Sequence, residues 1–181
     1  SHIKEEAACD LYIKKDAPQP PPPPPAFNWP PVWPLPAMVT NGTTTLTVDP
    51  ALTFSIKSPS ATLTAAFKRY SKLLFPHASA GQLGAGALSH LEVSVDSVDE
   101  SHPTLETDES YTLDVPASAG GATLSAKTIY GALRGLETFS QLTRFDFASG
   151  TYQMDGAPWH GEDAPRFPWR GLMMDTSRHF Q

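Results

Sequence analysis

Eleven of the chain's 19 prolines fall within its first 36 residues, six of them in the unbroken run Pro20 to Pro25. A run of this kind has no amide hydrogens to give to a helix or a sheet interior, and it settles into an extended polyproline II rod. Residues 1–28 therefore read as a tail or linker. It is a stiff spacer before it is a ligand for an aromatic groove of the SH3 or WW type. From Phe27 the prolines alternate with Trp29, Val32, Trp33 and Leu35, which suits an apolar segment laid extended along a core. The start of the chain, Ser1 to Lys15, shows neither an initiator Met nor the apolar stretch of a signal peptide, so it reads as cut.

Beyond the prolines the hydrophobic period changes several times. Leu46 with Val48, and Phe54 with Ile56, read as short strands separated by a turn at Asp49-Pro50. Asn41-Gly42-Thr43 reads as another turn, and Asn41 heads a glycosylation sequon. Pro59 and Ser60 open a helix that stops before Pro76, with Leu63, Ala66, Phe67, Tyr70, Leu73 and Leu74 forming its buried stripe. Residues 78–88 are rich in Gly and Ala and read as a loop. Leu91, Val93 and Val95 alternate with polar residues, as do Tyr111, Leu113 and Val115, giving two half-buried strands joined by an acidic loop. Ser118 to Gly121 reads as a turn, followed by a helix over 128–142 whose apolar face is Ile129, Leu133, Leu136 and Phe139. Gly131 and Gly135 cost that helix about 1 kcal/mol each relative to Ala, which implies a surface where another backbone comes close. Phe145 and Phe147 start a short strand that turns at Ser149-Gly150 into Tyr152 and Met154. The order gives an α+β fold, an antiparallel or mixed sheet with helices on one face.

Charge narrows the partners. The net charge is −6, and no Lys or Arg stands between Lys72 and Lys127. Glu92, Asp96, Asp99, Glu100, Glu106, Asp108, Glu109 and Asp114 all lie in that window, a distribution that repels phosphates and argues against nucleic acid. Cys9 is the single cysteine, which excludes an intrachain disulfide and a Cys-based zinc site, and the six histidines show no metal-ligand spacing. No apolar run reaches the roughly 18 residues of a membrane-spanning helix.

Chemistry enters near the end. Gly171-Leu172-Met173-Met174 is the unbroken apolar run of a strand buried on both faces, with Arg170 before it and Asp175 after it. Polar groups beside a buried parallel strand either face a ligand crevice, as in barrel enzymes, or form ion pairs within a scaffold. The segment from Ala164 through Arg166, Trp169, Arg170, Asp175, Thr176, Ser177, Arg178 and His179 to Phe180 resembles the opening of the catalytic barrel of β-N-acetylhexosaminidases, glycoside hydrolase family 20. Tyr130 to Leu142 is similar to the last helix of that family's N-terminal accessory domain. Asp108 to Leu113 is similar to one of its strands, and Trp33 to Pro36 to its opening segment. The likeness is collinear over residues 29–181, and its wording is nearest the eukaryotic, plant-like members.

That resemblance implies an accessory domain over 29–157 and, over 158–181, an interdomain segment with the first strand of a (β/α)8 barrel whose remainder is absent. It implies an exo-acting hydrolase of terminal N-acetylglucosamine or N-acetylgalactosamine, retaining and substrate-assisted, whose catalytic Asp-Glu pair lies beyond the chain end. Asp99-Glu100 and Asp108-Glu109 lack that pair's glycine context and read as solvated loop charges, so the fragment alone is expected to be inactive. By the same resemblance Arg170 grips the O3 and O4 hydroxyls of the terminal sugar. Asp175, Arg178 and His179 match the motif in structural roles at the barrel mouth. Phe167 and Trp169 are expected to be buried between domains rather than to line a sugar site. No cofactor or metal is implied. The implied partners are a glycan or chitin-oligosaccharide substrate, the missing barrel and a second copy of the full-length protein, in a lysosomal, vacuolar or extracellular setting. A reading of another class is a non-catalytic binding module with a proline-rich interaction arm. Without neighbouring strands, Leu172, Met173 and Met174 are expected to form an aggregation-prone apolar edge.

Overall fold

The structure, a computed structural model, describes residues 31–77, 87–175 and 177. The proline run and the readings of Phe27, Trp29 and most of the Gly/Ala-rich stretch lie outside them. Eight elements follow one another: β1 (Met38–Ile56), α1 (Ala61–Leu74), β2 (Leu88–Ser97), β3 (Tyr111–Val115), β4 (Gly120–Thr128), α2 (Ile129–Leu142), β5 (Arg144–Asp146) and β6 (Thr151–Asp163). The strands form one mixed sheet in the order β1-β2-β4-β3-β6-β5. β1 pairs antiparallel with β6 through its first half and parallel with β2 through its second. The two helices pack on each other and on the apolar face of this sheet.

The sheet is one-sided because its side chains alternate. Tyr111, Leu113 and Val115 of β3, and Ala122, Leu124 and Ala126 of β4, point into the core, while Thr123, Ser125, Lys127 and Asp114 face away from it. Both helices start on side-chain caps. Ser60 Oγ accepts from Leu63 N at 3.1 Å, and Thr128 Oγ1 accepts from Gly131 N at 3.3 Å, each satisfying an otherwise orphaned amide. α1 buries Leu63, Ala66, Tyr70 and Leu74, and its half-buried Phe67 stacks on Phe54 of β1 with centroids 5.1 Å apart.

Several expectations are corrected. β1 is one strand of 19 residues, not two short ones. Pro50 fits inside it because the β1–β2 register shifts between Val48 and Thr53, a bulge in which an amide is dispensable. The Asn41-Gly42 turn is likewise a ladder irregularity within β1, opposite β6. Gly42 is required there because the Ala157 carbonyl and the Pro158 ring crowd the place a Cβ would take. β4 replaces what reads as a mere turn, and it lies between β2 and β3, so those two strands are not neighbours. Leu73, placed on the buried stripe, is 62% exposed, and Phe147 lies outside β5 with its ring in the open. Residues 164–175 carry no helix or strand, while Leu172, Met173 and Met174 are 88%, 90% and 73% exposed, the exposure expected of that run without neighbouring strands. An apolar tetrapeptide cannot make a strand without a ladder partner, and among the described residues none lies beside it.

Candidate functional site

The segment leaving the domain is held at a carboxylate. Glu109 sits just before β3 on a stretch fixed from three directions. Its neighbour Ser110 presents a backbone carbonyl against Gly131 of α2, where only a glycine leaves room. Thr128 Oγ1 donates to the Asp108 carbonyl at 2.6 Å, and the Asp108 carboxylate accepts from Ser110 N at 2.8 Å. On this platform the Glu109 side chain is only 10% exposed. Its Oε1 accepts from Arg134 of α2 through Nε at 2.9 Å and an Nη at 2.7 Å, and its Oε2 accepts from Arg170. Arg170 also donates to the Phe167 carbonyl, closing the turn that leads to the apolar run. Burial alone would push the Glu109 carboxyl upward, but the hydrogen bonds and charges of Arg170 and Arg134 outweigh it and hold the group below the usual glutamate value.

The segment arriving at the domain is held by the same helix. Gln141 of α2 accepts from Trp33 N at 2.7 Å and donates to Trp33 O at 2.9 Å, the pattern of a one-residue ladder. Gln141 is oriented in turn by Glu137 at 3.2 Å, and Glu137 accepts from the Tyr70 hydroxyl of α1 at 2.7 Å. Burial and the Glu137 carboxylate push that tyrosine up to about 12.

Glu109 is thus largely buried in an ion-pair pocket rather than solvated, which corrects its reading, whereas Asp99, Glu100 and Asp108 are exposed as read. Glu100 accepts from Ser60 Oγ at 2.7 Å and Thr62 N at 3.1 Å, placing a carboxylate at the N-terminus of α1. Asp99 closes its own turn through Ser101 N at 2.9 Å. Asp175 is exposed and accepts from Ser177 N at 2.9 Å, while Arg178 and His179 lie outside the described residues. Asn41 is exposed on β1, with its amide donating to the Gly42 carbonyl at 3.0 Å. Phe167 and Trp169 are exposed. Among the described residues no group of three His, Cys, Asp or Glu could hold a metal ion. Arg134 and Gln141 as anchors were missed by sequence reasoning, since their partners lie 25 and 108 residues away.

On the open face of the sheet, His160 of β6 meets Asp114 of β3 at 2.6 Å and Glu162 at 3.3 Å. The Asp114 hydrogen bond is the chief reason that its imidazole titrates above the ordinary histidine value. The stabilisation from these pairs is therefore complete below the unfolded value of about 6.5 and fades as pH rises through the higher folded value. Urea midpoints of the wild type relative to His160→Gln should accordingly differ more at pH 5.5 than at pH 9. An equal difference at both would contradict the pairing.

A one-sided mixed sheet with two helices packed on its apolar face defines an α+β domain. A family model described as "beta-acetyl hexosaminidase like" matches residues 32–142. The chain belongs to the glycoside hydrolase family 20 β-hexosaminidases and carries their N-terminal domain. It is 43% identical over 173 residues to beta-hexosaminidase 1 of Arabidopsis thaliana, covering 83% of this chain and 31% of that protein. It is 41% identical over 153 residues to beta-hexosaminidase subunit B2 of Dictyostelium discoideum, covering 82% and 27%. Among solved structures it superposes on a chitobiase of Flavobacterium johnsoniae with a TM-score of 0.64 at 28% identity, covering 83% of this chain and 23% of that one. The chain thus spans less than a third of the length of these relatives.

Proposed function

We propose that this chain is the accessory domain and first barrel strand of an exo-acting β-N-acetylhexosaminidase that removes terminal N-acetylglucosamine or N-acetylgalactosamine from glycans or chitin oligomers. The observation that carries the reading is the segment after β6. A closed core is followed by three consecutive apolar side chains left 73–90% exposed, as a barrel strand lacking its neighbours would be. A (β/α)8 barrel takes about 250 residues, which fits the share of the relatives' length that this chain leaves uncovered.

In the proposed reaction the substrate's 2-acetamido oxygen attacks the anomeric carbon as the glycosidic C–O bond breaks. A glutamic acid beyond this chain protonates the leaving oxygen, and an adjacent aspartate steadies the acetamido group. The same glutamate then takes a proton from the water that opens the cyclic oxazolinium, so configuration is retained. No cofactor is needed for these steps.

The sugar-binding role expected of Arg170 is better supported at Arg178. Barrel sites are built at the C-terminal ends of strands, and Arg178 follows the apolar run whereas Arg170 precedes it. Arg170 also has donors committed to Glu109 and Phe167. Exposed Asn41 is proposed as a glycan acceptor, in keeping with a lysosomal, vacuolar or extracellular protein that pairs with a second copy of itself.

The test is to read the coding sequence past Gln181 and assay the product on a chromogenic N-acetylglucosaminide beside the 181-residue chain. Activity confined to the longer protein supports the reading. A stop codon after Gln181, or an inactive long form, leaves a binding module with a proline-rich arm.

A further inference from the structure

We propose that Glu109 is an interdomain positioning residue, the carboxylate through which the accessory domain fixes the N-terminal end of the first barrel strand. This inference rests on the reading of residues 171–174 as that strand. Four observations lead to it. Glu109 is the acidic-loop carboxylate held between two arginines, and both of its oxygens are used. It stands on a rigid platform, since residues 108–110 are pinned by Thr128, by the Asp108 turn and by backbone packing on Gly131. Its two arginines differ in kind. Arg134 belongs to α2 and orients the carboxylate from within the domain, whereas Arg170 belongs to the departing segment and is the group being held. The second donor of Arg170 closes on the Phe167 carbonyl, so the clamp sets the direction in which residue 171 leaves and does more than tether it.

A planar guanidinium shared between a carboxylate and a carbonyl restricts orientation as well as distance, which a lysine at the same place would not do. α2 also grips Trp33 through Gln141, so one helix holds the chain where it arrives and where it departs. Its outward face is therefore the seat from which the barrel's placement is set.

The experiment follows trypsin cleavage at the Arg166–Phe167 bond in the 181-residue chain, with Glu109→Gln, Arg170→Gln and the double variant. Each single change is expected to speed that cleavage about tenfold, in line with loss of a charge-assisted hydrogen bond that is partly solvated. The double variant should add less than about twofold, because both changes remove one shared contact. Urea midpoints of each variant separate local release from loss of the whole domain. Should Glu109→Gln fail to fold, Arg170→Gln carries the test, since its side chain is 39% exposed on a segment outside the core. Unchanged cleavage in Arg170→Gln, or additive effects in the double variant, would overturn the proposal. In the extended protein the same changes should lower kcat/KM on the chromogenic substrate. If the singles release the segment but the extended protein is no hydrolase, the catalytic reading fails while the clamp stands.

Discussion

Phe139→Ala is expected to lower the unfolding free energy of the domain by about 4 kcal/mol, within the 3–5 kcal/mol usual for truncating a buried aromatic ring. Phe139 is 0% exposed on the inner face of α2, where it packs with Leu136, Ile129 and Leu142 between the helix and the sheet. Removing the ring forfeits its transfer free energy and leaves a cavity that helix and sheet, both regular, cannot collapse into. Domains of this size carry about 5–15 kcal/mol in total, so the change should take a large part of the margin. Leu73→Ala is the control. Sequence period puts Leu73 on the buried stripe of α1, yet the side chain is 62% exposed. It should shift stability by less than about 0.5 kcal/mol. Urea midpoints at constant m-value decide both, and equal losses at the two positions would mean that α1 is rotated from the orientation described.

The contrast shows what the sequence discloses and why. Both helices were legible because apolar side chains recur at three and four residues and Ser60 and Thr128 mark their starts. β3 and the alternating centre of β2 were legible for the same reason at a period of two. β4 was not, because it opens on Gly120-Gly121-Ala122 and carries none of the aromatic, Val or Ile side chains by which strands are usually found. What the glycines of α2 approach is visible only in three dimensions, since Gly131 lies over the small Ala126 and Gly135 over the larger Leu124. The paired glycines correctly signalled a close approach, but the partner is backbone only at Gly131. At Gly135 it is the Leu124 side chain. One residue of the acidic loop misled in a similar way. Glu109 looks solvated because its partners, Arg134 and Arg170, are distant in sequence and no local pattern announces them. Arg170 itself was legible as a residue that matters, and its contacts among the described residues are with Glu109 and the Phe167 carbonyl.

Gly131→Ala should therefore destabilise the domain, although helix propensity alone argues the reverse. In an exposed helix the substitution gains about 1 kcal/mol. Here the new Cβ would collide with the Ser110 carbonyl, lie 3.1 Å from the Ala126 Cβ and lie 3.2 Å from the Glu109 carbonyl carbon. These neighbours are backbone or sheet-anchored, so no flexible side chain can yield, and overpacking of this kind costs about 1–3 kcal/mol or more. With the propensity gain included, a net loss of about 2 kcal/mol is expected from urea midpoints. Gly135→Ala meets the ends of the Leu124 side chain, which can change rotamer, and its loss should be about 1 kcal/mol or less. The order of the two losses is the informative result. Because the obstructing atoms at Gly131 belong to the stretch that carries Glu109, the substitution should also displace the clamp on Arg170. Trypsin cleavage after Arg166 should then rise in Gly131→Ala and not in Gly135→Ala, and adding Glu109→Gln to Gly131→Ala should accelerate it little further. Stabilisation by Gly131→Ala would mean that the helix and the β3 approach do not touch, and the rigid platform assigned to Glu109 would fall with that contact.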